Sequence, residues 1–464
     1  MNRFKFLKLN FPYIVSFLIV LLSINITNNV HSWKNKQVIQ WDVISYYGYL
    51  PAAFIYNDIT LKFIDNYSGP HQFEMWPKEA PNGSKVFVTS MGMSFLYAPF
   101  FFAAHYYALN SEYDAGGYSE PYHLAIIISA IFYFALGLFF LCKLLLQYFN
   151  PFISSLVVVI TAASSNLFYY ATFEQGMSHT FSFALITLFV WFTIKWYDKQ
   201  KYIYTILLGI LIGLISLVRP TNILVSLFFI FFGIKSWRAL INRGNFFLSR
   251  YKHLALILFF WFIIWFPQFL YWKLLTGSFF YNSYADGSQF FFNDPKIING
   301  FFSYRNGWLV YSPAMIFSVL GMFILWKKQK ELQLPLAITF LVFIYVSYSW
   351  WCWWSGGAFG NRFMIDIYGL LALSSGAFFT YISSLKLKWI KYPVVIVAFI
   401  LVLAGVHHIN KRRNFSIHWD SMTKEAFWDS YLDKKPSPEF ESKLRAPDYS
   451  KALMGIDEYS NKTN

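Results

Sequence analysis

The sequence predicts an all-α integral membrane protein with about eleven transmembrane helices and a long first extracytoplasmic loop containing interfacial helices. Three observations predict it. Of 464 residues, 57% are hydrophobic, 23% aromatic and only 13% charged. Soluble domains carry about 25% charged residues, and a soluble chain of this length would leave too much apolar surface facing water. The apolar residues also come in runs long enough to cross about 30 Å of hydrocarbon. Finally, the lysines and arginines behind the net charge of +15 fall in short clusters between those runs. That is the pattern of loops held at an anionic membrane face, not of a nucleic-acid binder. The lipid bilayer is therefore the first partner of the chain.

The chain opens with a basic segment (Arg3, Lys5, Lys8) and an apolar run from Phe11 to about Ile26. No small-x-small cleavage site follows, so this run reads as an uncleaved first span rather than a signal peptide. Further apolar runs lie at 121–147, 152–171, 179–197, 202–218, 222–235, 253–274, 309–326, 335–351, 364–384 and 392–408. The run Met91–Leu109 is ambiguous, and the positive-inside rule decides it. If it does not span and the N-terminus is cytoplasmic, four clusters face inward: 195–201, 235–252, 327–330 and 386–391. If it spans, each of them turns outward. It is therefore expected to lie in the interface or dip back within an outer loop of 28–119, and Gly92 and Pro99 suit such an irregular segment. Lys411, Arg412 and Arg413 argue the other way and are outvoted. Residues 1–408 read as the membrane domain and 409–464 as a polar extramembrane tail without helical periodicity. Cys142 and Cys352 fall near opposite faces, which argues against a disulfide. There is no CxxC and no Cys/His cluster for zinc. Richness in Phe, Ile, Asn, Lys and Tyr points to an AT-rich bacterial genome. The expected location is the cell (inner) membrane, with the N-terminus cytoplasmic.

Four outward segments carry the residues with chemistry. In 41–58, Asp42 is followed at helical spacing by Ser45, Tyr46 and Tyr49, as in an interfacial amphipathic helix. The turn 171–180 holds Glu174 and His179; the loop 275–308 holds Asp286, Asp294 and Arg305; 349–366 holds four tryptophans, including Trp354, with Arg362 and Asp366. Arg219 closes a span. Each has a structural reading: Asp42 as a helix-start residue, His179 likewise, the tryptophans as an aromatic belt, Arg219 as a snorkelling cation, Arg362 as a partner of lipid phosphate. Their convergence on one side favours chemistry. Arginines suit a phosphate, a carboxylate can serve as general base toward a hydroxyl, and aromatic faces suit sugar rings and an isoprenoid tail. No P-loop suggests a nucleotide donor, so an outward site needs a lipid-carried one.

In order and topology, these segments resemble the GT-C superfamily of polytopic glycosyltransferases. The likeness is greatest to bacterial members related to the protein O-mannosyltransferases, the lipid A aminoarabinose transferase and the rhizobial lipopolysaccharide core transferases. It is carried by WDVISYYGYLPA at 41–52, KVFVTSMGMSFLYAPFFFAAH at 85–105, GYSEPYH at 117–123, FEQGMSHTFSF at 173–183, LVRPTN at 217–222, SYRNGWLVYSP at 303–313 and GNRFMID at 360–366, and covers roughly 1–410. It implies transfer of a hexose or pentose, with inversion, from a polyprenyl-phosphate-linked donor to a cell-envelope acceptor outside the cytoplasm. Asp42 would be the catalytic base. Arg362, with Arg219 and Arg305, would bind the donor phosphate, and Tyr46, Glu174, His179 and Trp354 would line the substrate. Family patterns place an acidic pair in this loop, whereas Val43 follows Asp42 here. No cofactor is therefore implied, a divalent metal is not indicated, and Asp58, Asp65 and Glu74 remain as second acids. The rival reading, a flippase or transporter of the cell envelope, expects ionisable residues deep within spans and often internal repeats. Here Lys143, Lys195, Arg219, Lys273 and Asp366 lie near span ends and no repeat is visible.

Overall fold

A computed structural model describes residues 3–66, 77–284, 287–429 and 431–456. Glu74 and Asp286, both singled out above, lie outside the described residues. Among those described, the only sheet is a two-stranded antiparallel one, pairing Lys78–Glu79 with Lys85–Val86. Everything else of regular structure is helical.

Among the described residues, seven helices are long and apolar enough to cross a membrane: Asn10–Val30, Glu120–Tyr148, Ser178–Asp198, Tyr251–Thr276, Lys330–Ser349, Arg362–Ser384 and Lys388–Arg413. The chain is thus a helical, multi-pass membrane protein. An eighth span arises if Pro151–Ala162 and Asn166–Thr172, bent by 65°, are counted as one. The three other expected spans are shorter apolar helices, Tyr202–Val218, Pro220–Phe231 and Pro313–Leu325. Local chemistry explains the shortening. Pro220 and Pro313 cannot continue an α-helix behind them, and each opens a 3-10 turn instead. At the bend, Ser165 accepts the amide of Leu167 and starts a new helix. Among the described residues, each of the eleven expected apolar runs holds helix, but seven, or eight with the bent pair, are long enough to span.

The helix Ser178–Asp198 occupies the centre, packed on Glu120–Tyr148, Tyr202–Val218 and Tyr368–Ser384. By contrast, Tyr251–Thr276 and Lys388–Arg413 expose most of their apolar side chains. Lipid is the environment that suits such faces, because it removes them from water without a protein partner.

The run 91–109 forms an 18-residue helix, Gly92–Leu109, that is not among the seven. Its N-terminal end is pinned to the polypeptide just before Arg219. Ser90 Oγ donates to the carbonyl of Leu217, and the Met91 amide donates to Gln268 Oε1 at 2.8 Å. Gly92 is required there, since a Cβ would lie 2.4–2.6 Å from the backbone of Leu217 and Val218. Gly92→Ala is expected to cost about 1–3 kcal/mol as an overpacked contact, read as a lowered melting temperature in detergent.

The described part of the tail, to residue 456, is folded, not periodic. Its helices Lys424–Trp428 and Tyr449–Leu453 are five residues each, too short for a hydrophobic repeat to register. Met422, Ala426, Phe427, Phe440 and Ala452 are nevertheless buried.

Candidate active site

Asp42 opens the helix Asp42–Tyr47, with its side chain 43% exposed. The residue before it, Trp41, has φ 52 and ψ −130, a conformation that L residues with side chains rarely adopt. Its ring is 72% exposed. The short helix is held from behind by the helix Gly92–Leu109: Ser94 Oγ donates to the Tyr46 carbonyl, and the Tyr97 hydroxyl donates to the Gly176 carbonyl. The turn 174–177 in turn packs on buried Val43 through Gly176.

Arg362 meets Asp42 from the opposite side. Its Nη2 donates to Asp42 Oδ2 at 3.1 Å, its side chain is 13% exposed, and its buried Nε has no hydrogen-bond partner. The loop that presents it is fixed by the bent span. Asn166 Nδ2 donates to the carbonyls of Phe359 and Asn361 at 3.2 and 3.3 Å, and the Phe359 amide donates to the Tyr170 hydroxyl at 3.0 Å. Gly360 adopts φ +61 with the Tyr311 side chain 3.0 Å from where a Cβ would stand, so this turn needs glycine.

Arg219 belongs to a buried network beside this pair. Asp366, fully buried, accepts from His179 Nδ1 at 2.8 Å and Asn222 Nδ2 at 2.8 Å, and Arg219 Nε lies 3.5 Å away. Arg219 Nη1 is 3.3 Å from His179 Nε2. A guanidinium only donates, so Nε2 is the acceptor and Nδ1 carries the proton that Asp366 receives. His179 is therefore neutral in this geometry. Arg219, 21% exposed, also lies over the Phe363 ring at 5.0 Å. Tyr46 joins the two parts: its hydroxyl is 3.4 Å from Ser178 Oγ. Burial pushes that hydroxyl's pKa up and the Asp42 carboxylate adds to the rise, while Arg219 and Arg362 pull against it. Tyr284 feels the same three charges.

The remaining predicted residues divide. Glu174 accepts from the Tyr169 hydroxyl at 3.0 Å and faces Arg412 at 3.8 Å. Arg412 comes from the cluster that opposed the positive-inside count, and its pairing with Glu174 gives that cluster a structural role. Arg305 and Trp354 are engaged elsewhere, with the tail. Arg305 is fully buried, and its guanidinium donates to the carbonyls of Asp420 and Arg445 and lies 5.6 Å from the Trp354 ring. Arg305→Ala would leave those carbonyls without a charged donor. It is expected to loosen the tail, giving earlier tryptic cleavage at Lys424 and Lys434 than in wild type. Of the possible second acids, the two described are occupied locally: Asp58 caps the turn at Thr60 and Phe63, and Asp65 pairs with Lys85. Among the described residues, no three or more His, Cys, Asp or Glu side chains gather as a metal site.

Asn222, Tyr284 and Arg412 went unselected in the sequence. Asn222 sat inside the LVRPTN segment, and Arg412 was visible only as a charge on the wrong side. Asp366 carried a clearer signal, as an acid at the head of an apolar run. No protein-family model matches the chain, and no curated protein sequence is significantly similar to it.

Proposed function

We propose that the chain is a membrane glycosyltransferase that moves a sugar from a polyprenyl-phosphate-linked donor to a cell-envelope acceptor on the extracytoplasmic side, with inversion. One observation carries the proposal: a partly exposed carboxylate, Asp42, stands 3.1 Å from a largely buried arginine, Arg362, whose buried Nε has no partner. A donor phosphate has the charge and the acceptor oxygens to take that guanidinium. In doing so it competes with Asp42 and frees the carboxylate for the acceptor. The acceptor hydroxyl oxygen then bonds to the anomeric carbon as the bond from that carbon to the phosphate oxygen breaks. Asp42 takes the hydroxyl proton, and the polyprenyl phosphate leaves with the electron pair, its growing charge met by Arg362 and Arg219. Exposed Trp41 and Tyr284 offer aromatic faces for the sugar or the isoprenoid.

The test is transfer by the protein in nanodiscs, offered a panel of polyprenyl-phosphate sugars with an envelope extract as acceptor. Label passing from at least one donor to the extract supports the reading. Translocation of the lipid in proteoliposomes, without transfer from any donor, sinks it in favour of a flippase.

A further inference from the structure

We infer that the segment between the helices Ser226–Phe231 and Tyr251–Thr276 is a docking site for an anionic phospholipid surface, at the end of the protein remote from Asp42. It folds as two short helices, Trp237–Ile241 and Arg243–Leu248, neither of which buries a residue. Their large apolar side chains point outward: Trp237 is 75% exposed, Ile241 66%, Leu248 71%, and Tyr251 just beyond them 63%. Exposed Arg238 stands among these, with exposed Lys235 just before Trp237 and exposed Lys252 just after Tyr251. Exposed Lys199 and Lys201 join them, because the chain that follows packs on the start of the helix Tyr251–Thr276, directly after this segment: Thr205 Oγ1 is 2.6 Å from His253 Nδ1, and the Tyr202 ring stacks on His253 at 4.7 Å. The acids nearby are Asp198 and Glu331, the latter 3.4 Å from Lys235. Cations are therefore in excess.

The placement follows from one long helix. Near the C-terminal end of Tyr251–Thr276, Gln268 accepts the Met91 amide and the Tyr271 hydroxyl accepts the Phe87 amide, which ties that end to the elements behind Asp42. The helix has 26 residues, about 39 Å at 1.5 Å per residue. The basic segment at its other end thus sits about one bilayer thickness from the site. It is also preorganised: Arg243 donates to the Tyr197 hydroxyl at 2.7 Å and to the Phe232 carbonyl at 2.8 Å, clamping the two short helices to the core. Aromatic and aliphatic side chains interleaved with lysines, on helices at the end of a span, match the acyl boundary and its phosphates. A zwitterionic surface would accept the apolar side chains but leave the excess positive charge unmatched. The excess selects anionic headgroups, at about 1 kcal/mol per surface cation.

The full-length protein is to be reconstituted in phosphatidylcholine nanodiscs with or without about one-third phosphatidylglycerol, the regime in which juxtamembrane cations discriminate. A nitroxide at Ile241→Cys reports depth, since Cys142 and Cys352 are buried and stay unlabelled. The expected result is a label open to oxygen and shielded from an aqueous nickel chelate. Phosphatidylglycerol should also be enriched among the lipids that stay bound in native mass spectrometry. Arg238→Gln and Lys252→Gln, both at exposed positions, should each lower that enrichment about fivefold, the equivalent of about 1 kcal/mol. A label as accessible to nickel as one in water, or enrichment unchanged in both variants, overturns the inference.

Discussion

Asp42→Asn should lower sugar transfer by about 100-fold or more while leaving the protein inserted and folded. The magnitude is that of losing a positioned general base. The amide keeps the shape of the carboxylate and still offers an oxygen to Arg362 Nη2, now 3.1 Å from Asp42 Oδ2. What it loses is the capacity to take a proton. The effect on stability should be moderate, about 1–3 kcal/mol: Asp42 is 43% exposed but Arg362 only 13%, so a largely buried guanidinium loses its counter-charge while keeping a hydrogen bond to the amide oxygen. Donor affinity should hold or rise, since the neutral amide competes less with a phosphate for the guanidinium. The measurement is single-turnover transfer at saturating donor, with melting in detergent and donor binding recorded on the same preparations. Transfer within tenfold of wild type would remove Asp42 as the base and direct attention to Glu174, another acid whose charge acts on Arg362. Loss of transfer together with loss of donor binding would recast Asp42 as a residue that shapes the phosphate site.

Much of the membrane architecture was legible because its signal is local. Runs of apolar residues mark helices wherever the solvent is lipid, and each of the eleven runs holds helix, though not always along its whole length. The count of full spans was less legible. Pro220, Pro313 and the Ser164–Ser165 break shorten or bend helices by a few residues, which hydropathy averages away. The site divides in the same manner. Asp42 and Arg362 were chosen as charged residues in outer segments, and the fold brings them together across 320 residues. The Asp366 network was only half readable: Arg219 and Asn222 share the LVRPTN turn, but His179 and Asp366 come from elements far along the chain, and nothing in their spacing announces that the four meet. Arg305 went the other way. An arginine in a loop rich in aromatics reads as a ligand for anions, yet here it holds backbone carbonyls of a tail whose fold has no periodic signature.

Asp366→Ala should be the most destabilising single change in this region, by about 3–5 kcal/mol, the range for removing one partner of a buried charged group. The carboxylate is fully buried and receives His179 Nδ1–H and Asn222 Nδ2–H, with Arg219 Nε at 3.5 Å. Deleting it strands two neutral donors and leaves Arg219 without its counter-charge. Arg219 is 21% exposed, so solvent can recover part of that loss, which places the expectation at the lower end of the range. Asp366→Asn separates charge from volume. It keeps an oxygen for one donor but sets an amide nitrogen against another, so it should fall between alanine and wild type. Melting in detergent at matched lipid content measures both. Alanine and asparagine variants that melt like wild type would mean that the network is not held by the carboxylate. Where a variant survives to be assayed, its transfer should fall further than its folded fraction. His179 loses the acceptor that fixes its tautomer, and Arg219 loses the carboxylate that aims it toward Tyr46 and Asp42. Restoring the fold by lowering temperature would then not restore the rate, and that separation distinguishes a positioning role for Asp366 from a purely structural one.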